Sequence, residues 1–227
     1  PSEFNDAHAG LRGFAQSDLE SSVIFSAGMN PRLYGYIAKF DDFFPDKNGR
    51  IKKKIVLKVS DYRSAVIQGK FLAKKGLWVS EYRIESGLNC GGHAFATNGF
   101  LMGPILAEFR DRRQELIDEM FEVCKSALSD FEKIVPAKTP PVKITAQGGV
   151  ATPEEHEFLI DYYNLDSVGW GTPFLLVPEV TNVDKDTLIQ LKKAKEKDLY
   201  LSNVSPLGVP FNNLRNSSKD IETLQKV

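Results

Sequence analysis

The sequence contains few of the residues that build metal sites and disulfide frameworks. It has only two cysteines, Cys90 and Cys124, and three histidines, His8, His93 and His156. Two cysteines cannot form a disulfide scaffold or a multi-cysteine zinc site. We therefore expect no metal centre. We expect Cys124 to be a core residue, because it falls on the apolar face of a helical pattern, and we expect His8 and His156 to be structural.

Long hydrophobic runs and an excess of charge of either sign are also lacking. No apolar stretch approaches the ~20 residues that cross a bilayer, and no signal-peptide pattern is found. The 29 basic and 30 acidic residues nearly cancel, which argues against a nucleic-acid or anionic-membrane surface. We expect a cytoplasmic protein that acts on a small molecule. The basic run at residues 50–54 is expected to be a solvated loop.

Short apolar runs alternate with helical patterns along most of the 227 residues. Strands are predicted at residues 22–26, 55–59, 77–85, 142–146 and 167–170. Helices are predicted at residues 33–44, 62–73, 116–131 and 152–163. The last helix begins with Thr152 as N-cap, Pro153 at the first position and Glu155 at the third. This alternation is typical of βαβ units with a parallel sheet, and the mostly apolar strands predict a sheet covered on both faces.

Glycine-bearing loops follow three of the predicted strands. They read "CGGH" at residues 90–93, "QGG" at 147–149 and "GWGT" at 169–172. Ligands bind at the carboxyl ends of parallel strands, and glycine lets backbone N–H groups approach an anion closely. In (β/α)8 barrels the loops after the last two strands typically hold a phosphate. His93 would lie at the same end of the sheet, where an imidazole suits proton transfer near neutral pH.

The order of these motifs resembles the second half of the nitronate monooxygenases. The segments "GLNCGGH", "ITAQGGVAT" and "DSVGWGTPFL" follow one another as in that family, and "DLYLSNVSPLGVPFNNLRN" is similar to its closing segment. These enzymes are FMN-dependent TIM barrels related to the flavin-dependent enoyl reductases. The resemblance extends over residues 55–216. It implies an α/β fold, the second half of a TIM-type (β/α)8 barrel with a C-terminal extension, and an FMN-dependent oxidoreductase function.

The resemblance also implies roles for individual residues. His93 would be the acid or base above the flavin. It would take the proton α to a nitro group in a nitronate monooxygenase, or orient and protonate the thioester substrate in an enoyl reductase. Backbone N–H groups of the last two glycine loops would hold the FMN phosphate. The implied FMN contacts are Gly91, Gly92, Gly148, Gly149, Gly169, Trp170, Gly171 and Thr172.

Only half of such a barrel is visible in the sequence. Residues 1–50 form an entry segment, residues 51–180 carry the βα units, and residues 181–227 form a C-terminal extension. Ser86 and Asn89 stand where the family has a glutamine and an acidic residue. A half barrel exposes its edge strands, which favours association. We therefore expect a second chain, or a missing N-terminal half, to complete the barrel.

Two other functions fit the same motifs. A TIM-barrel enzyme without flavin would bind a phosphorylated metabolite through the same glycine loops. A non-catalytic fragment or subunit would keep the fold and need a partner chain. Bound flavin separates both alternatives from the FMN-dependent oxidoreductase.

Overall fold

A five-stranded parallel sheet, in the order β1-β2-β3-β4-β5, organises the chain. It is seen in a computed structural model that describes residues 5–85, 102–148, 150, 152–170, 183–202 and 211–225. The strands are β1 (Ser22–Phe25), β2 (Lys54–Val59), β3 (Val79–Glu85), β4 (Lys143–Gln147) and β5 (Ser167–Gly169). The predicted α/β fold, with a parallel sheet as in part of a TIM-type barrel, is confirmed.

Helices connect the strands, as parallel pairing requires. The described helices are α1 (Asp6–Gln16), α2 (Pro31–Ile37), α3 (Tyr62–Ala73), α4 (Met102–Asp111), α5 (Arg113–Asp130), α6 (Pro153–Tyr163), α7 (Lys185–Lys193) and α8 (Ser218–Gln225). Helix α3 joins β2 to β3, and α6 joins β4 to β5. An antiparallel pair, β6 (Leu199–Ser202) and β7 (Phe211–Leu214), comes between α7 and α8 in the sequence. None of the helices in the described ranges is long and apolar enough to cross a membrane.

The hydrophobic core lies between one face of the sheet and helices α3 and α5. Ile55, Leu57 and Val59 alternate onto this face of β2 and are at most 1% exposed. Gly69 lets α3 approach Tyr82 of β3 closely, because a methyl group at position 69 would overlap the Tyr82 hydroxyl. The apolar side chains of β2 therefore pack against the apolar face of α3.

The opposite face of the sheet carries charged side chains beside the buried Val56 and Thr145, so the strands are less apolar than expected. In β3, Glu81, Arg83 and Glu85 alternate with the buried Tyr82 and Ile84. A period of two places the charged set on one face and the apolar set on the other. The charged face points away from the helix-covered core.

Helix α2 is shorter than the helix predicted at residues 33–44. Phe40 takes an extended conformation (φ −119°, ψ 118°) and packs edge-on against Tyr36, with ring centroids 5.2 Å apart. A short 3-10 helix follows at Asp41–Phe43. Aromatic packing therefore ends the helix before its apolar pattern runs out. The sequence pattern did not predict α1 or α4.

Lys53 corrects the expectation that residues 50–54 form a solvated loop. Its side chain is fully buried, and its Nζ donates hydrogen bonds to Ser17 O (2.8 Å), Ser17 Oγ (3.0 Å) and Leu19 O. The ammonium also lies 4.6 Å from the centre of the Phe14 ring. Burial of this lysine is tolerated because oxygen acceptors satisfy its donors.

Candidate active site

The carboxyl ends of the strands share one edge of the sheet, because all five strands are parallel. At this edge Ser60 follows β2, Glu85 ends β3, Gly148 follows β4 and Trp170 follows β5. Ligands of parallel α/β folds bind at this edge. The site that the glycine loops predict is therefore expected at this edge.

A cavity of about 370 Å³ opens at the opposite edge of the sheet. It is lined by residues near the amino ends of the strands, among them Ser22, Lys54, Ser80 and Lys143. In barrel enzymes that edge contributes to stability, whereas catalytic residues come from the carboxyl ends. We therefore place the candidate site at the carboxyl edge and not in this cavity.

The last two glycine loops begin side by side. Pairing of β4 with β5 puts Gln147 opposite Gly169, and the Gly148 N–H donates to Gly169 O at 3.0 Å. Gly148 has φ +86°, a conformation that residues with a side chain rarely adopt. The structure thus brings Gly148 and Gly169 together. The other predicted contacts in these loops, Gly149, Gly171 and Thr172, lie outside the described residues.

The start of α6 is the capping box that the sequence predicts. Thr152 Oγ1 accepts from Glu155 N at 3.2 Å, and Glu155 Oε2 accepts from Thr152 N at 3.1 Å. Glu154 and Glu155 place two carboxylates in the first turn, where they already occupy the favourable end of the helix dipole. We therefore expect a phosphate near Gly148 to contact the segment after β5 and not the start of α6.

Trp170 contacts a histidine that the sequence did not single out. The Trp170 Nε1 donates to His156 Nδ1 at 2.9 Å, and the two ring centroids are 6.0 Å apart. Both side chains are half-buried. No local pattern links the two positions, because the contact depends on how α6 lies against β5. His156 is therefore tied to a predicted site residue.

A charge pair on the charged face of the sheet was also not predicted from the sequence. Lys58 near the end of β2 lies 3.2 Å from Glu85 at the end of β3, measured from Nζ to Oε1. The Glu85 side chain is only 5% exposed, and its Oε2 has no hydrogen-bond partner within the described parts of the chain. The signal for this pair was the alternation of charged and apolar residues in β3. A buried carboxylate oxygen is thus available at the carboxyl edge.

The next layer of the same face is internally paired. Glu81 Oε1 accepts from Arg83 Nε at 2.9 Å and Nη2 at 2.8 Å, and from Thr145 Oγ1 at 2.8 Å. Strand register places Arg83 opposite Thr145. This network ties β3 to β4 below the Lys58–Glu85 pair. It supports the site by fixing the position of β4 against β3.

The remaining predicted residues divide into two groups. His93, Gly91 and Gly92 lie outside the described residues. Cys124 is buried on α5, and burial raises the pKa of its thiol to about 12, so its assignment to the core is confirmed. No group of three or more His, Cys, Asp or Glu side chains in the described ranges is arranged to hold a metal ion.

A solved structure shares this fold. The enoyl reductase domain of MlnA, from the macrolactin biosynthesis cluster of Bacillus amyloliquefaciens, matches with a TM-score of 0.63 and 16% identity. The match covers 100% of this chain and 53% of that domain, so the chain spans about half of the domain. A HpcH/Hpal aldolase/citrate lyase family protein from Burkholderia cenocepacia J2315 matches with a TM-score of 0.36 and 8% identity, over 83% of this chain and 70% of that protein. No protein-family model and no curated protein matches the chain.

Proposed function

We propose that the chain is part of an FMN-dependent oxidoreductase of the group that contains enoyl reductases and nitronate monooxygenases. The observation that carries the proposal is the set of groups at the carboxyl edge, where the Lys58–Glu85 pair lies on the same edge as the junction of Gly148 and Gly169. The fold similarity to the MlnA enoyl reductase domain supports it.

The groups at this edge fit flavin mononucleotide. An oxidised isoalloxazine ring presents one N–H donor beside carbonyl and ring-nitrogen acceptors. Glu85 Oε2 is an acceptor without a described partner, and the Lys58 ammonium is a donor. The Gly148 N–H is already bonded to Gly169 O, so a phosphate at this edge would be held by the other backbone N–H groups of the two glycine loops. The positive φ of Gly148 turns the chain where β4 ends. When bound, the flavin would supply the redox chemistry, and the protein would supply orientation and proton transfer.

The residues implied by the resemblance complete the proposed site. His93 donates or accepts the proton of the substrate. The FMN phosphate is held by backbone N–H groups of the loops after β4 and β5. The proposed phosphate contacts are the N–H groups of Gly149, Gly171 and Thr172, beside the turn at Gly148, whose own N–H is bonded to Gly169 O. The proposed flavin contacts are Gly91, Gly92, Gly169 and Trp170.

The open sheet leads us to propose that further strands complete the barrel. Strands β1 and β5 are the two edges of the described sheet, and Ile24 of β1 is 50% exposed. Edge strands carry unpaired backbone groups that pair readily with another strand. A second chain or an N-terminal half would supply the strands, in keeping with the match to 53% of the MlnA domain.

A second candidate function is favoured by the glycine junction alone. Gly148 and Gly169 would serve the phosphate of a phosphorylated metabolite as well as that of FMN. In an enzyme of this kind no isoalloxazine ring would bind beside the Lys58–Glu85 pair. Binding of FMN in preference to simple phosphorylated metabolites separates the two candidates.

The proposed mechanism is tested by His93→Ala in the complete enzyme, with the second chain or N-terminal half present. We expect FMN affinity to stay close to that of the wild type, because the phosphate contacts are in other loops. Turnover should fall by roughly 10²–10⁴-fold, the usual contribution of a general acid or base. Turnover is measured with an α,β-unsaturated thioester and reduced nicotinamide, and separately with an alkyl nitronate and oxygen.

The control is His8→Gln, since His8 lies on α1 and its Nδ1 contacts Asn5 Oδ1 at 2.9 Å. That variant should keep wild-type turnover. Equal turnover in His93→Ala and the wild type would remove His93 from the mechanism. Loss of flavin with no separate effect on rate would assign it to cofactor binding instead.

A further inference from the structure

Trp170 and His156 join the end of β5 to the first turns of α6. An indole Nε1 can only donate a hydrogen bond, so the 2.9 Å contact requires an unprotonated Nδ1 on His156. The contact therefore assigns His156 the neutral form with its proton on Nε2. A protonated imidazole has N–H groups at both nitrogens and cannot accept from the indole.

The glycine junction lies close to this contact in the chain. The Gly148 N–H donates to Gly169 O at 3.0 Å, and Trp170 directly follows Gly169 in the chain. Helix α6 in turn begins just after the loop that contains Gly148. The indole–imidazole contact is thus a second tie between the two segments proposed to hold the phosphate. The contact therefore links the backbone after β5 to the protonation state of His156 on α6.

We propose that His156 is a positioning residue for the FMN site, which holds Trp170 in place only while its imidazole is neutral. The inference rests on the proposed function. It adds a regulatory property, because FMN affinity then depends on the protonation of His156. Loss of the contact frees the indole of Trp170, a proposed flavin contact, so FMN binding weakens as pH falls.

The charges around His156 determine the sign of this pH dependence. On its own helix the neighbouring charged groups are Glu154, Glu155 and Glu157. From α4, Arg110 lies over the ring of Tyr162, nearer the other end of α6, at 5.0 Å from the centroid. The β5 side contributes the uncharged indole. The three carboxylates offset the positive charge of a protonated imidazole, so we expect the lost hydrogen bond to outweigh any added attraction for phosphate.

The test compares His156→Ala and His156→Gln with the wild-type protein. FMN affinity is measured by quenching of flavin fluorescence between about pH 5 and 8, the range in which histidines titrate. At neutral pH His156→Ala should bind FMN about threefold to tenfold more weakly, the worth of one neutral hydrogen bond. The glutamine side chain can accept from Trp170 at any pH. His156→Gln should therefore keep near wild-type affinity at neutral pH and bind more tightly than the wild type at acidic pH.

The comparison with His156→Gln also removes the titration of the FMN phosphate, which is common to both proteins. Wild-type affinity in His156→Ala, or the same pH profile in the wild type and His156→Gln, would overturn the proposal.

A second measurement needs no flavin. In a Trp78→Phe background Trp170 is the sole tryptophan, and its emission should change with pH when position 156 is histidine but not when it is glutamine. If the wild type binds no FMN, the proposed function fails, and this titration still decides whether His156 positions Trp170. Emission that follows pH identically in both chains would contradict that role.

Discussion

Two buried tyrosines differ in whether their hydroxyl groups are satisfied. The Tyr34 hydroxyl donates to Gln68 Oε1 at 2.8 Å. Tyr82 lies between the sheet and α3, close to Gly69, and its hydroxyl has no hydrogen-bond partner among the residues that the structure describes. Burial raises the pKa of Tyr34 to about 12 and that of Tyr82 further. Both phenols therefore stay neutral, but only one of them is paired.

This difference predicts opposite effects of removing the two hydroxyl groups. Tyr82→Phe should leave the free energy of unfolding unchanged or raise it by about 1 kcal/mol, since it removes an unsatisfied buried group. Tyr34→Phe should lower it by about 1 kcal/mol, because Gln68 loses its donor. Urea denaturation of both variants measures the changes. Equal destabilisation by the two substitutions would show that Tyr82 has a partner.

At the residue scale, contacts within one turn were predictable from the sequence, and contacts between strands were not. The capping box of Thr152 and Glu155 is formed by residues of a single helix start. The Lys58–Glu85 pair depends on the register of β2 and β3, which shifts between Ile55 and Val56. That shift changes which side chains become neighbours. The sequence alone does not reveal it.

Helix α1 is held to the sheet by one buried lysine. Lys53, which directly precedes β2, donates to the carbonyl oxygens of Ser17 and Leu19 at the carboxyl end of α1. A cation at this end of a helix is favoured by the helix dipole. The contact fixes the end of an element that the sequence pattern did not predict.

Lys53→Met should lower the free energy of unfolding by about 2–3 kcal/mol, because the hydrogen bonds of a buried charged group to Ser17 and Leu19 are lost. The neighbouring Lys54 is exposed, and Lys54→Met should change stability by less than about 0.5 kcal/mol. Denaturation gives both values, and hydrogen exchange should show earlier opening of α1 in the first variant only. A similar small effect of both substitutions would mean that Lys53 is solvated.

At the element scale, the strands of the sheet and the helices packed on them were predicted more accurately than the elements of the entry segment. Strands β2, β3 and β4 each have apolar residues that are buried in the core, so a short hydrophobic run is enough to mark them. Helix α2 and its surroundings instead depend on aromatic contacts such as Tyr36 with Phe40. Those contacts have no periodicity that a sequence pattern would reveal.

At the scale of the whole molecule, the order of the glycine loops was the most informative sequence signal. The alternation of strands and helices predicted a parallel sheet, and the order of the glycine loops predicted that the last two loops lie side by side. The structure places Gly148 against Gly169. The charged face of the sheet was not predicted, because the strands were expected to be apolar on both faces. In the described part of the chain the sheet ends at β1 and β5, and we propose that further strands pair with these edges.

The proposed binding of FMN is tested most directly by the visible absorption spectrum of the purified protein, followed by titration with FMN. We predict the absorption bands of a bound flavin, or their appearance on stoichiometric binding of added FMN. The phosphate-free flavin, riboflavin, should bind much more weakly, because the loops of Gly148 and Gly169 would have no anion to hold. A colourless protein that leaves the fluorescence of added FMN unchanged would contradict the assignment.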